Sequence, residues 1–408
     1  FFFIVVLALI STVVDAGQPA MRAQAQSLSS VQASLQSYAD SLAGKVQPSL
    51  ANYSPEMLNL IEDRQDFYQA FFFDALHSEL LKGDSSYSEI ILDQPSSDQT
   101  YQTVHAVETV NLTGISLLKD PINYPMYRAA LLASQRATDT RVKQELDAYA
   151  ARILNEVGES IKSGEYTISW TLNHTITYDL KTGRIVKDSF TDVAKDRMAG
   201  TDIVTWNMDT FSRQQPKIES FPDYEMYHSS IEELANGLLE QYNQIFKGLP
   251  VNESSLTTYT YSHTGAGNYI RTWVKTTTST CSDGKTLQDI NNYNSSYTPV
   301  PCNDCANYVS QALRYGGHPL TTSWSLNTTP WVYVPSLLAF IIDNGRGQTV
   351  ALLSYLGIGD IAFIPNQHVV MVSAINPTRY SAHTYDRLNV SWDSSINQYM
   401  LIFVNPIP

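Results

Sequence analysis

The sequence predicts an α+β protein, and the distribution of apolar residues along the chain supports this. In residues 17–250, segments with apolar side chains at helical spacing are mixed with segments that alternate apolar and polar residues. In residues 251–408, one short helical pattern is followed by several apolar segments typical of strands. The composition agrees with a folded chain, because 43% of the 408 residues are hydrophobic and only 16% are charged.

An apolar run over residues 1–10 predicts a secretory signal peptide at the N-terminus. The run leads to Val14-Asp15-Ala16, a small-x-small cleavage pattern that would end the peptide at residue 16. The initiator Met and the basic residues of such a peptide are absent, so we expect a signal truncated at its start. An uncleaved anchor is the alternative. Either way, we predict a secreted or cell-surface protein, with no stable membrane insertion after signal cleavage.

Residues 17–250 are predicted to form a separate α+β region of unknown role. Helical spacing predicts helices over residues 22–48, 55–81, 124–161 and 231–246. The third of these segments is long enough for one long or two short helices. Alternation predicts strands over residues 86–92, 102–112, 165–179 and 184–192. The last two strands form a hairpin across the turn Lys181-Thr182-Gly183.

Residues 251–408 are predicted to form a second domain. Its first part, residues 251–298, is rich in Ser, Thr, Tyr and Asn and resembles a linker, with a helix or strand starting near residue 266. A helix begins at Cys305. Apolar segments that we interpret as strands follow over residues 332–342, 358–364, 368–375, 380–383 and 399–404. One helix followed by strands fits an α+β hydrolase core.

Cys305 lies at the start of the predicted helix, in the segment Asp304-Cys305-Ala306-Asn307-Tyr308-Val309-Ser310-Gln311-Ala312-Leu313. Asp304 is a residue type that caps helix starts, and Gly316 or Gly317 can supply the left-handed residue that ends the helix. The positive end of the helix dipole favours a thiolate at Cys305, and a thiolate is the nucleophile of cysteine hydrolases. The alternatives are a small core residue or half of a disulfide.

The reactive thiol depends on which of the three cysteines form a disulfide. The three are Cys281, Cys302 and Cys305. In an exported protein two of them would pair. We expect a Cys281–Cys302 disulfide, which closes a loop of about 20 residues and stabilises by about 3 kcal/mol. Cys305 would then keep its thiol. No zinc site is expected, because a second ligand pair at suitable spacing is missing.

Two histidines follow Cys305 in strand-like contexts. His368 opens a strand of buried type after the Gly359-Asp360 segment, and His383 ends the next strand. An Asn376-Pro377 turn between antiparallel strands would bring His383 alongside His368. A cysteine nucleophile needs such a base and a polar group that orients the base.

This order of motifs resembles the putative amidase domain family, papain-like cysteine hydrolases found largely in exported bacterial proteins. The resemblance covers about residues 255–405 and rests on residues 304–313, Gly316-Gly317-His318-Pro319, Trp331, Gly359-Asp360, His368 and residues 381–387. It implies that Cys305 is the nucleophile and His368 the base. For the third residue it leaves His383, Asn376 and Asp386 as candidates, and we favour His383.

The resemblance implies acyl transfer, in which the thiolate attacks an amide carbonyl and water hydrolyses the thioester. The backbone N–H of Cys305 would help to stabilise the oxyanion. No cofactor or metal is implied. Trp324 and Trp331 are candidates to line the substrate cleft, and Asp360 is expected to be a turn residue. Asn307 and Gln311 are expected to be exposed or to support the site.

We therefore predict an exported cysteine amidase or peptidase whose substrate is a peptide or amide, with cell-wall peptide as the first candidate. A nucleic-acid partner is not expected, because the net charge of −14 provides no basic surface. One alternative is a non-catalytic secreted binding protein with a degenerate papain-like domain. Another is a thiol-disulfide oxidoreductase that uses Cys302 and Cys305.

Overall fold

The structure is a computed structural model, and it confirms the α+β class. It describes residues 18–98, 100–192, 206–207, 218, 222–246, 261–274, 278–280, 286–288, 293–300, 303–365, 367–383, 387–392 and 399–405. Helices and strands are mixed along these residues. The predicted signal peptide, residues 1–16, lies outside the described residues. No helix in the described part of the chain is both long and apolar enough to cross a membrane.

The chain divides into two compact units, which are described separately. The first comprises Phe1–Phe67, Lys82–Leu112 and Trp170–Gln215. The second comprises Tyr68–Leu81, Thr113–Ser169 and Pro216–Pro408. The predicted domain boundary at residue 251 stays a prediction.

The first unit contains two helices and most of a five-stranded sheet. The helices are α1 (Gln18–Leu42) and α2 (Pro55–Ala70). The strands, in their order across the sheet, are β1 (Ser78–Leu92), β2 (Tyr101–Ser116), β3 (Glu165–Asp179), β4 (Arg184–Asp192) and β5 (Trp206–Asn207). The antiparallel pairing of β3 with β4 confirms the predicted hairpin. Gly183, in the turn of that hairpin, has a φ of 71°, which suits glycine.

The second predicted helix ends earlier than expected. α2 ends at Ala70, a wider π-helical turn covers Phe71–Ala75, and β1 begins at Ser78. His77 has a φ of 47°, a left-handed backbone conformation that does not continue a helix. Residues 76–81 contain no Gly or Pro that would mark the change in sequence. Pairing within the sheet therefore decides their conformation.

The second unit contains a six-stranded antiparallel sheet. Its strands are β8 (Gly347–Val350), β9 (Ile361–Ile364), β10 (His368–Ala374), β11 (Arg379–Ala382), β12 (Arg387–Ser391) and β13 (Met400–Val404). Their order across the sheet is β12-β11-β10-β9-β13-β8, and each neighbouring pair is antiparallel. The turn that contains Asn376-Pro377 joins β10 to β11, as predicted. Two short strands, β6 (Thr278–Thr280) and β7 (Thr286–Gln288), form a separate hairpin.

Helices cover both faces of this six-stranded sheet. One layer comprises α3 (Pro125–Arg136), α4 (Thr140–Ser163), α5 (Pro222–His228) and α6 (Ile231–Phe246). The other comprises α7 (His263–Thr272), α8 (Cys305–Tyr315), α9 (Thr329–Val332) and α10 (Val334–Asp343). Along β10, Val370 and Val372 pack with the first layer, and Val369 and Met371 pack with the second. Burial on both faces explains why the strands are apolar without alternation.

One expectation for residues 251–408 is wrong. The segment 332–342, expected to be a strand, forms α10, because its buried residues Val334, Leu337 and Ile341 recur at helical spacing. The helix or strand expected near residue 266 of the linker-like tract is the helix α7, whose first turn is capped by Ser262 through a bond from the N–H of Gly265. Short apolar runs and polar tracts do not settle these assignments, because the packing of each segment decides its conformation.

Candidate active site

Cys305 is the first residue of α8, as predicted. Its side chain is a buried, reduced thiol that is 7% exposed. The helix packs against α7, α10 and β10, and every residue from Cys305 to Leu313 is buried. Gly317, with a φ of 115°, provides the left-handed residue expected after the helix. The predicted disulfide partners Cys281 and Cys302 lie outside the described residues.

Asp304 does not cap α8 with its side chain, which corrects the sequence prediction. Its Oδ2 accepts a hydrogen bond from Nδ1 of His383 at 2.7 Å. Its Oδ1 accepts bonds from Nδ2 of Asn307 at 2.7 Å and from the backbone N–H of Val300 at 3.2 Å. The fully buried carboxylate therefore connects the start of α8 to the residue that follows β11.

The imidazole of His383 is held on three sides. Besides the bond to Asp304, its Nε2 lies 2.7 Å from the carbonyl oxygen of Trp273. The ring stacks on Tyr308 of α8, with centroids 3.3 Å apart and planes 5° apart. Burial lowers the pKa of His383, because desolvation of the imidazolium outweighs the opposing effects of Asp304 and the Trp273 carbonyl.

His368 is the first residue of β10 and is buried. Because α8 packs against β10, Cys305 and His368 are carried by two elements in contact. Side chains of β10 alternate between the two faces, and His368 has the parity of Val370, which faces the layer opposite α8. A base at this position must therefore reach Cys305 around the end of the strand.

The pairing of β10 with β11 brings His383 to the same end of the sheet as His368. The register pairs Met371 with Ser381. Its continuation puts His383 opposite Val369, the neighbour of His368. This agrees with the expectation that the turn between the strands brings the two histidines alongside each other. His383 lies on the face that α8 covers, as its stacking on Tyr308 shows.

The other two candidates for the third residue differ from His383. Asn376 lies beyond the opposite end of β10, about 25 Å along the strand from His368 at the usual rise per residue. Its Oδ1 accepts bonds from the hydroxyls of Tyr227 at 3.0 Å and Ser116 at 3.3 Å. Asp386 lies outside the described residues. Of the three candidates, the structure brings only His383 into contact with the first turn of α8 among the residues described.

Asn307 and Gln311 are buried, which excludes the exposed alternative and agrees with the alternative that they support the site. Asn307 Oδ1 accepts a bond from Trp331 Nε1 at 2.7 Å, and Gln311 Oε1 accepts one from the Tyr269 hydroxyl at 2.6 Å. Trp331 and Trp324 are 1% and 0% exposed. Both tryptophans are therefore part of the core around α8 and do not line an open cleft.

Asp360 is a turn residue, as predicted. Its Oδ2 accepts a bond from the N–H of Gly357 at 2.7 Å, and its Oδ1 accepts one from the N–H of Val404 at 2.8 Å. Arg152 of α4 lies 3.7 Å from the same carboxylate. Asp360 thus organises the loop before β9, at the end of the sheet opposite His368.

The sequence reasoning missed the partnership of Asp304 with His383. The two residues are 79 positions apart, and no spacing rule connects them. The carbonyl of Trp273 and the ring of Tyr308 were missed for the same reason. The one signal available was an acidic residue directly before the cysteine, and that signal also fits a helix cap.

Comparisons with known proteins give a match for the C-terminal part of the chain. No curated protein matched the chain, and no solved structure matched it. A family model described as a putative amidase domain matches residues 260–404. This segment contains Cys305, His368 and His383, and it agrees with the resemblance inferred from the motifs. Residues 260–404 are thus similar to the putative amidase domain family, which supports a hydrolase that acts on amides.

Proposed function

We propose that this protein is a cysteine hydrolase that cleaves an amide or peptide bond, with Cys305 as the nucleophile. The observation that carries the proposal is the position of Cys305. It is the first residue of a buried helix that packs on the strand opened by His368, within the segment similar to amidases. The N-terminal end of a helix favours the thiolate over the thiol.

The mechanism follows from the chemistry of a thiol and an imidazole. His368 takes the proton of Cys305, and the thiolate sulfur forms a bond to the amide carbonyl carbon. Backbone N–H groups at the start of α8, including that of Cys305, stabilise the oxyanion. The protonated imidazole then gives its proton to the leaving amine. Water hydrolyses the thioester and regenerates the thiol.

The proposed substrate follows from two features of the sequence. The predicted signal peptide and the likeness to a family found largely in exported proteins favour an extracellular peptide or amide, with cell-wall peptide as the first candidate. We propose a secreted or cell-surface location on the same grounds.

The first test measures hydrolysis by the purified protein of amides and peptides, including peptidoglycan fragments. We expect Cys305→Ala to abolish hydrolysis, because the nucleophile is removed, while the circular-dichroism spectrum and the unfolding midpoint stay close to those of the parent protein. The buried hydroxyl variant Ser310→Ala is the matched control on the same helix. We expect it to retain activity, because within the described part of the chain the Ser310 hydroxyl bonds to two core groups, the Trp331 carbonyl and the Trp324 ring.

The same assay separates the proposal from its rivals. Hydrolysis by Cys305→Ala at the parental rate would show that another group is the nucleophile. A Cys302→Ser variant as inactive as Cys305→Ser would favour a thiol-disulfide oxidoreductase. Alkylation of Cys305 by iodoacetamide at neutral pH no faster than that of a model thiol would favour a non-catalytic binding protein.

A further inference from the structure

The residues on either side of Cys305 are held by a single imidazole. His383 bonds to Asp304, which precedes Cys305, and stacks on Tyr308, which follows it in the first turn of α8. The Tyr308 hydroxyl in turn donates to the carbonyl of Ile270 in α7. His383 and Asp304 are 1% and 0% exposed, so water does not compete for these bonds.

The ring nitrogens of His383 are both engaged by acceptors. Nδ1 faces the carboxylate of Asp304, and Nε2 faces the carbonyl of Trp273, each at 2.7 Å. While these contacts last, each nitrogen is directed at its own partner, so neither is placed to accept the proton of Cys305 or to orient the imidazole of His368. The geometry therefore does not fit His383 as a group that orients the base.

We propose that Asp304 and His383 form a positioning pair that holds the first turn of α8 against the end of β11 and the end of α7, and so fixes the thiol of Cys305. His383 acts through Asp304 and Tyr308, and not on His368. This inference rests on the proposed function only in taking Cys305 as the reacting group.

The carboxylate of Asp304 cannot be replaced by an amide without losing part of this arrangement. Its two oxygens accept bonds from three donors, on His383, Asn307 and Val300. Asparagine has one acceptor oxygen, so its amide N–H groups would face at least one of these donors. Asp304→Asn also removes a negative charge from the residue next to Cys305. The loss of this charge favours the thiolate form of Cys305.

The positioning pair predicts three results that a general loss of structure would not produce. Asp304→Asn is expected to shift the pH midpoint of Cys305 alkylation downward by about one unit, yet to lower kcat by about 10- to 100-fold because the thiol is misplaced. His383→Gln is expected to lower kcat to a similar extent without that downward shift. The double variant is expected to be no slower than the slower single variant, because both changes disrupt the same pair.

The experiment uses the full chain. The rate of iodoacetamide alkylation is measured from pH 5 to 9 for the Cys305 peptide by mass spectrometry, and kcat is measured on an amide substrate. His105→Gln is the control, because His105 is a partly exposed imidazole of the first unit that also pairs with a carboxylate, that of Asp93 at 3.2 Å. It is expected to change neither quantity.

Parental values of both the midpoint and kcat in Asp304→Asn and His383→Gln would overturn the positioning pair. If Asp304→Asn folds poorly, Asp304→Glu keeps the charge and two acceptor oxygens. We expect it to keep the parental midpoint with a lowered kcat, and a downward shift there would also refute the proposal. A different result would contradict the proposed function. In that case Cys305→Ala would still hydrolyse amides, whatever pH midpoints are measured for the alkylation of Cys305 in the other variants.

Discussion

The polar side chains around Cys305 have partners that are distant in sequence. Asp304 bonds to His383, Asn307 to Trp331, and Gln311 to Tyr269. The reason is that α8 is surrounded by protein, and a buried polar group is costly unless it is hydrogen-bonded. The motif therefore specifies how the helix packs, and the proposed chemistry depends on Cys305 alone among these residues.

The base assigned to Cys305 is tested by removing the imidazole of His368. We expect His368→Ala to lower kcat by about 100- to 10,000-fold, the usual contribution of a general base. Added imidazole should restore part of the rate, because a small cavity is left at the strand end. Steady-state kinetics from pH 5 to 9 would measure all of these effects.

The matched control for this prediction is His318→Ala, which removes another buried imidazole from the same unit. His318 lies beside Arg346 and Trp324, after the far end of α8. We expect His318→Ala to lose stability while it keeps a kcat close to the parental value. A parental kcat in His368→Ala would contradict the assignment, because another group at this end of the sheet would then be the base.

At the scale of elements, the sheet and helices of the first unit enclose a buried network of charged groups. His174 of β3 bonds to Glu108 of β2 and Asp188 of β4, each at 2.9 Å. Arg64 of α2 pairs with Glu108 at 2.9 Å, and the Tyr38 hydroxyl of α1 donates to Asp188 at 2.8 Å. The charges of two carboxylates are thus matched by one guanidinium and one imidazolium.

The network keeps His174 protonated. Burial disfavours the imidazolium, but Asp188 and Glu108 outweigh it and raise the pKa of His174 to about 9. Burial also disfavours the Glu108 carboxylate, but Arg64 and His174 outweigh it and lower the pKa of Glu108 to about 2. The phenol groups of Tyr38 and Tyr87 also face this site, and burial raises the pKa of each well above its ordinary range.

These pKa values predict that the first unit loses stability as the pH rises. The unfolded chain releases the proton of His174 near pH 6.5, whereas the folded chain keeps it up to about pH 9. The protonated imidazole therefore stabilises the fold fully below pH 6.5, and this stabilisation is lost as the pH rises to about 9. We expect a loss of about 3 kcal/mol across this window. Hydrogen-exchange protection factors in β2, β3 and β4 at pH 7 and pH 9 would measure it.

The variant His174→Gln should reduce this dependence on pH and should also destabilise the unit at pH 7, because Glu108 and Asp188 lose a charged partner. His105→Gln is the matched control, since His105 is a partly exposed histidine on β2. It should keep the parental dependence. The same fall in protection between pH 7 and pH 9 in His174→Gln would contradict the assignment.

At the scale of the molecule, the segment similar to amidases shares its core with helices that precede it in the chain. Ala362, Val370 and Phe403 of the sheet pack with α3, α4 and α6. Phe403 contacts Tyr149 and Tyr242, with ring centroids 6.4 and 5.8 Å apart. One face of the sheet is therefore covered by residues outside the matched segment.

The domain boundary predicted at residue 251 is tested by truncation. We expect the isolated fragment 251–408 to be unstable, because it exposes the apolar sheet face that α3, α4 and α6 cover in the full chain. Strong binding of a hydrophobic dye and the absence of a cooperative unfolding transition would show this. The full chain under the same conditions is the control. A fragment that is monomeric and unfolds cooperatively would establish residues 251–408 as an independent domain.

The parts of the fold that could be predicted are those with a strong local pattern. The hairpin of β3 and β4 and the helix α6 begin and end where the sequence predicts. The π-helical turn at Phe71–Ala75 and the helix α10 were not predicted, because their apolar residues fit more than one conformation. In the site, Cys305 at a helix start was predictable from the residues beside it.

The sequence by itself determined the α+β class, the position of Cys305 at the first turn of α8, and the order of His368 and His383 on neighbouring strands. Each of these depends on residues that are close in the chain, where turn chemistry and periodicity apply. Tertiary structure alone decided that Asp304 bonds to His383 and that helices before residue 251 cover one face of the sheet. Those contacts join residues far apart in the chain, and the burial that selects them exists only once the whole unit has packed.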